Sequence, residues 1–334
     1  MPSMPQKNDR VAEEPPADAT AWLARAGYAP REIVSLPGDV SPRRYARVLL
    51  LDGTTAILAT YPDEVREVCA RFLRTGELLA GAGVRVPHIF AVACEPGWML
   101  LEDFGPRNLG EHRERPWSAL RLDFGHAVEL GRRIASVPAE VVAQLNPRLG
   151  RELLRRELDQ TWELFLAPRG LTGDGSLAAR LSRALDEICE RLGDEPPVPC
   201  HRDFMVRNLM PLGEEGGALA VLDHQDLRLG PPAYDLASLL NDTLFPPPEI
   251  EEELLAAALG GAGRESYHRA AAQRTLKAVG TYAKFALRGA NRHLPLIPPT
   301  LARHLDHLAR IPEGAHLAEE LRRLWRPALQ AKPV

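Results

Sequence analysis

The chain of 334 residues is 45% hydrophobic and 26% charged, with a net charge of −4, the make-up of a globular protein long enough for two lobes and a sizeable core. The excess of acid argues against a nucleic-acid-binding surface. No apolar run approaches the roughly 18 residues of a membrane span, so the default expectation is a cytoplasmic protein with neither membrane nor nucleic acid as partner. Residues 1–18, rich in Pro, Glu and Asp, read as a disordered tail and not as a signal peptide. Cys69, Cys94, Cys189 and Cys200 are scattered without C-x-x-C spacing, which suggests neither a disulfide frame nor a zinc site.

In chain order, Ala19 to Tyr28 reads as a short helix, and Ile33 to Leu36, Tyr45 to Leu51 and Thr54 to Thr60 read as strands. Asp52-Gly53 joins the last two as a hairpin turn, because both residue types tolerate positive φ. Asp63 to Ala80 has helical spacing ended by Gly81 and Gly83. Strands at His88 to Cys94 and Trp98 to Leu101 complete a five-stranded antiparallel sheet with one helix. After the acidic connector Glu102-Asp103-Phe104-Gly105 the pattern turns mainly helical, with apolar residues at Leu177, Leu181, Leu185, Ile188 and Leu192. Leu209 to Leu212 and Ala218 to Leu222 flank a Gly-rich turn and read as a second hairpin.

That second hairpin places two parts of one pattern side by side. His201-Arg202-Asp203-Phe204-Met205-Val206-Arg207-Asn208 precedes it, and Asp223 follows it. Transfer of a γ-phosphoryl group needs a carboxylate to orient the acceptor hydroxyl and take its proton, plus oxygen ligands for Mg²⁺. Asp203 suits the first task, and Asn208 and Asp223 suit the second. An Asp and an Asn beside strands are most commonly turn formers. Four fixed residues in H-R-D-x-x-x-x-N, with an Asp where the metal-binding Asp of a D-F-G triplet would stand, select the catalytic reading instead. ATP and Mg²⁺ are the expected cofactors, and a small molecule the expected partner.

Together with Asp223-His224-Gln225-Asp226, Gly230-Pro231 and Tyr234-Asp235-Leu236, this segment resembles the aminoglycoside phosphotransferase-like superfamily, the small-molecule branch of the protein-kinase fold. Within it the chain is most similar to the bacterial anomeric kinases of N-acetylmuramate and N-acetylglucosamine, through Arg43-Arg44-Tyr45, Val86-Pro87, His201 to Met210 and Gln273-Arg274-Thr275-Leu276-Lys277. The resemblance implies an α+β, bilobal, kinase-like fold. Its antiparallel N-lobe would span 19–103 and its helical C-lobe 104–330, with a hinge near 101–106 and ATP in the cleft. Adenine would meet backbone groups around Leu101 and Glu102. His201, Arg202 and Asp235 would act as braces, Asp235 through bonds to loop N–H groups.

Departures from the kinase pattern are equally informative. No lysine occurs between Lys7 and Lys277, so the strand-three phosphate-binding lysine is missing. Its position falls near Ala56 to Thr60, and Phe72 stands where its glutamate partner would be; losing both together leaves no unpaired charge. Arg43 or Arg44 is then the candidate for the phosphates, with Ser41 contributing through hydroxyl or backbone. Asp226 is a candidate hydrogen-bond acceptor for a sugar hydroxyl or a turn cap. Arg274, Lys277, Lys284 and Arg288 share one side of a helix at 269–288, a pattern most often solvated; Lys277 is also a candidate substrate contact. Two rivals stay open at this level: a kinase of another small alcohol or an aminoglycoside, and a non-catalytic pseudokinase-like module. Basic residues slightly outnumber acidic ones from Pro231 onward, which favours a neutral or anionic acceptor over a polycation.

Overall fold

The computed structural model of the chain describes residues 17–37, 42–213, 216–259 and 263–331. They fall into two compact units, one within Met1–Gly81 and Arg85–Pro106, the other within Ala82–Val84 and Arg107–Val334.

The first unit holds α1 (Ala17–Arg25), β1 (Pro30–Ser35), β2 (Arg44–Leu50), β3 (Thr55–Thr60), α2 (Glu67–Gly81), β4 (Ile89–Ala93) and β5 (Trp98–Glu102). The strands form one antiparallel sheet in the order β1-β2-β3-β5-β4. Strand alternation divides the side chains between two cores. Val48, Leu50, Ala56, Leu58 and Leu100 pack with Ala19 and Leu23 of α1, whereas Ala59, Met99 and Leu101 pack with Cys69 and Phe72 of α2. Ala59 and Phe72 thus belong to one buried apolar cluster. The β2–β3 turn is fixed by Asp52, whose Oδ1 accepts from Thr54 N–H at 2.9 Å and Thr54 Oγ1 at 2.7 Å, with Gly53 at φ +85°.

The acidic connector is tied back onto β2. Asp103 accepts from Arg47 Nε at 2.6 Å and Nη2 at 3.1 Å and from Gly105 N–H at 2.9 Å, while Arg47 Nη2 also donates to Gly105 O at 3.0 Å. Burial pushes the Asp103 carboxyl up, yet Arg47 and Gly105 together hold it below its ordinary value.

The second unit is mainly helical: α3 (Trp117–Ala135), α4 (Ala139–Val142), α5 (Arg151–Thr161), α6 (Gly175–Asp194), α7 (Tyr234–Leu240), α8 (Pro248–Leu259), α9 (Arg264–Leu287), α10 (Ile297–Leu308), α11 (Ala315–Leu324) and α12 (Arg326–Leu329). Between α6 and α7 run four short strands, β6 (Val198–Cys200), β7 (Leu209–Pro211), β8 (Leu219–Val221) and β9 (Arg228–Gly230), paired β6 with β9 and β7 with β8, both antiparallel. Helix α6 starts at an Asp174 cap whose side chain accepts from Leu177 N–H at 2.8 Å, and it buries the expected stripe of Leu177, Leu181, Leu185, Ile188 and Leu192. The hub is α9, buried through most of its length and packed by α5, α7 and α10. Small residues let α5 come close. Thr161 Oγ1 donates to Leu276 O at 2.9 Å, and a Cβ on Gly280 would sit 2.2 Å from that hydroxyl and 2.8 Å from Thr161 Cα.

No described helix is long and apolar enough to cross a membrane, and the four cysteines carry no disulfide. Because the α5 backbone itself blocks the space, Gly280→Ala should destabilise the protein by about 1–3 kcal/mol through overpacking. Urea unfolding should show a lowered midpoint at unchanged slope.

Candidate active site

Two small ladders clamp the functional loops. β6 and β9 hold the ends of 201–227, and β7 and β8 hold its middle; Leu222 N–H donates to Asn208 O at 2.8 Å, so Asn208 and Asp223 emerge together from one end of the hairpin. The first ladder depends on Gly230: a Cβ there would lie 2.7 Å from Cys200 Sγ and 3.3 Å from Leu149 Cβ.

The catalytic-loop residues gather around Asp235 in the first turn of α7. Its Oδ2 accepts from His201 N–H at 2.6 Å and its Oδ1 from Arg202 N–H at 2.9 Å. His201, fully buried, sets Nε2 2.9 Å from Leu222 O and so links the loop to the residue between β8 and Asp223. Arg202 (φ +74°) and Asp223 (φ +60°) are the only non-glycine residues with positive φ among those described. Each such conformation costs on the order of 1–3 kcal/mol and persists only where neighbours over-determine it.

Asp203 presents a carboxylate whose side chain is 27% exposed. Its Oδ1 lies 3.6 Å from Arg274 Nη2 and 3.7 Å from Lys277 Nζ. Burial pushes this carboxyl up, but Lys277 first, then Arg202 and Arg274, hold it well below the usual carboxylate range. It is therefore ionised at neutral pH. Asn208 donates Nδ2–H to Asp203 O at 2.8 Å, which leaves the amide oxygen as the acceptor it offers a ligand. Gln225 Nε2 holds Asp223 Oδ1 at 2.9 Å. One amide oxygen and one carboxylate at the same hairpin end are hard donors of the kind Mg²⁺ takes alongside phosphate and water, so the residues present fit that ion.

Asp226 is held by two guanidinium groups: Arg202 Nη1 bonds its Oδ2, and Arg228 Nη2 donates to its Oδ1 at 3.0 Å. Arg202 spends its other arm on Glu157 Oε1 at 2.8 Å. The helix face expected to be solvated is instead turned inward. Gln273 and Arg274 are buried, Lys277 has a side chain 12% exposed, and Lys284 Nζ meets Gln160 Oε1 at 3.0 Å; only Arg288 is exposed. The reason is that α5 covers this side of α9. Lys277 Nζ lies 3.3 Å from Glu157 Oε1, and burial pulls its ammonium below its ordinary value although Glu157 and Asp203 oppose the shift.

The other candidates belong to the first unit. Arg44 opens β2 opposite Thr60, and Arg43 directly precedes it; Ser41 lies outside the described residues. Leu101 is buried against α2. Glu102 bonds Arg85 Nη2 at 2.5 Å and His88 N–H at 3.0 Å, and its own N–H donates to His88 O at 2.8 Å.

Two site residues escaped the sequence reading. Glu157 ties Arg202, Lys277 and Gln273 together, and buried Asn146 donates to Gln225 O at 3.1 Å and Leu227 O at 3.0 Å, steadying the turn after Asp223. Glu157 did leave a trace, since it interrupts the buried stripe of Leu154, Leu158 and Thr161 on α5.

A fold of this kind around an H-R-D loop and a second Asp defines a phosphotransferase enzyme. Residues 32–272 match the model of the phosphotransferase enzyme family, and the chain belongs to that family. It is 33% identical over 318 residues to the N-acetylmuramate/N-acetylglucosamine kinase of Pseudomonas aeruginosa, covering 87% of this chain and 88% of the relative. It is 31% identical over 299 residues to the protein so named from Neisseria meningitidis, covering 82% and 83%. Among solved structures it superposes on choline kinase LicA from Streptococcus pneumoniae with a TM-score of 0.61 at 13% identity, over 86% of this chain and 95% of that one. The GDP and kanamycin complex of APH(2″)-IIia gives 0.63 at 17% identity, over 92% and 99%. These likenesses establish the fold.

The Asp235 carboxyl is lifted by burial to about 6, against the opposing pull of His201 and the two loop N–H groups. Its neutral form is favoured in the fold, so its contribution to stability is greatest below the ordinary carboxylate value and is lost as pH rises through about 6. Its ionised form is the one that accepts both loop donors. Turnover should therefore climb between about pH 5 and 7. Asp235→Asn should remove that limb and lower kcat about tenfold or more, as read from kcat–pH profiles of the two proteins.

Proposed function

We propose that the enzyme uses Mg²⁺-ATP to phosphorylate the anomeric hydroxyl of an N-acetylated amino sugar, N-acetylmuramate or N-acetylglucosamine. The observation that carries this reading is the partly exposed, ionised Asp203 carboxylate, whose backbone carbonyl is bonded to Asn208, the residue that faces Asp223 across the hairpin end. The relatives' names, at 30–36% identity over most of both chains, supply the acceptor class.

In this mechanism Asp203 orients the acceptor hydroxyl and receives its proton as the new P–O bond forms, while the bond from the γ-phosphorus to the bridging oxygen breaks and ADP leaves. Its depressed basicity suits a loose phosphoryl transfer, in which the hydroxyl loses its proton late. Asn208 and Asp223 would hold Mg²⁺, which supplies charge neutralisation at the phosphates. Arg43 and Arg44 are the cations proposed for the phosphate chain. Arg274 and Lys277 offset the charge of Asp203, so the acceptor side lacks the net acid that would draw a polycationic aminoglycoside. Both carboxylate contacts of Lys277 favour a role as charge partner over a direct substrate contact, and the Asp226 clamp favours bracing in the same way.

Asp203→Ala should lower turnover by about 10²–10⁴-fold while nucleotide binding, followed by calorimetry, stays near normal. Asp223→Ala should instead abolish the Mg²⁺-dependent part of that binding; an unchanged Mg²⁺-ATP titration removes Asp223 from the metal site. The acceptor is decided by ³¹P NMR of the product made from each sugar. An anomeric phosphate signal is expected, and a 6-phosphate, or reaction with kanamycin but with neither sugar, overturns the assignment.

A further inference from the structure

Helix α5 brings one acid into the heart of the site. Glu157 lies among Leu154, Leu158 and Thr161 on the face turned to α9, with its side chain 10% exposed. Its Oε1 is 2.8 Å from Arg202 Nη2 and 3.3 Å from Lys277 Nζ. Its Oε2 accepts from Gln273 Nε2 at 3.2 Å, and the same amide donates to Leu154 O at 3.1 Å, which fixes the approach of the two helices. Lys277 is therefore nearer to Glu157 than to Asp203, where the separation is 3.7 Å. Arg202 divides its guanidinium between Glu157 and Asp226.

A buried ion cluster can serve simply as glue, and then an apolar replacement of matched shape would do as well. Its place beside Asp203 argues for more. A cation that closes onto a carboxylate occupies the lone pairs an acceptor hydroxyl would use. With the Glu157 carboxylate gone, Asp203 is the remaining acid within 4 Å of Lys277, and a long flexible ammonium would close onto it.

We infer that Glu157 is a positioning residue for phosphoryl transfer: it holds the Lys277 ammonium off Asp203, so that the Asp203 carboxylate stays open to the acceptor hydroxyl. The inference rests on Asp203 being the group that receives the hydroxyl proton. Burial pushes the Glu157 carboxyl up, but Lys277 and Arg202 outweigh it and keep it ionised, as the role requires.

The test compares wild type, Glu157→Gln, Lys277→Met, the double variant and Asp203→Ala, with kcat and KM measured per folded enzyme below the lowest melting temperature. Glu157→Gln should lose about ten- to a hundredfold in kcat, with the nucleotide KM within about twofold, because the lost interaction acts in the transition state. The double variant should recover about fivefold or more over Glu157→Gln, since no ammonium is left to close onto Asp203. A structural role alone would lower the melting temperature and leave kcat per folded enzyme unchanged. Wild-type kcat in Glu157→Gln, or a double variant no faster than it, overturns the inference. Should Glu157→Gln fail to fold, the charge-balanced double variant is compared with Lys277→Met: equal kcat supports the inference, and a lower value in the double variant overturns it. Near-normal turnover in Asp203→Ala would sink the reading of Asp203 itself, which is a separable outcome.

Discussion

Two hydrogen bonds from the loop backbone to one buried carboxylate hold the site together. Asp235 takes the N–H groups of His201 and Arg202, donors that the short β6–β9 ladder cannot satisfy and that burial would otherwise leave costly. With both N–H groups fixed, Arg202 is held at positive φ, and the chain turns sharply enough to leave the Asp203 side chain partly exposed. His201 carries the constraint across to Leu222 O, one residue before Asp223. Backbone groups, and not the reactive side chains, therefore set the relative placement of Asp203, Asn208 and Asp223.

Around this scaffold the charges alternate. Asp226, Arg202, Glu157, Lys277, Asp203 and Arg274 form a chain in which each ion has an opposite neighbour. In a partly dry setting such alternation is what makes burial of several ions tolerable, because each desolvation cost is offset by paired attraction. The chain links three elements distant in sequence, α5, the catalytic loop and α9. Packing at Thr161 and Gly280 brings two of them close.

The sheet, its two hairpins and the H-R-D loop were legible because each rests on local chemistry: period-two alternation, Asp-Gly and Gly-rich turns, and a fixed spacing of polar residues. What stayed hidden depends on partners far along the chain. Glu157 lies in the run RELLRRELDQT, where one more acid among arginines and leucines shows only as a break in the apolar stripe. Its importance comes from residues 45 to 120 positions away. The cations of α9 were spaced like a solvated face because spacing tells which side chains share a side but not what covers that side. The binding of Asp103 to Arg47 and of Asn146 to Gln225 O was invisible for the same reason. The missing lysine, by contrast, could be seen outright, since an absence in a sequence needs no partner to be noticed.

Ala59 and Phe72 lie in a core made of hydrocarbon. In this chain α2 packs on Ala59, Met99 and Leu101 by apolar contact, which has no preferred direction. A charged side chain in place of Ala59 or Phe72 would be desolvated in that core without a counter-ion.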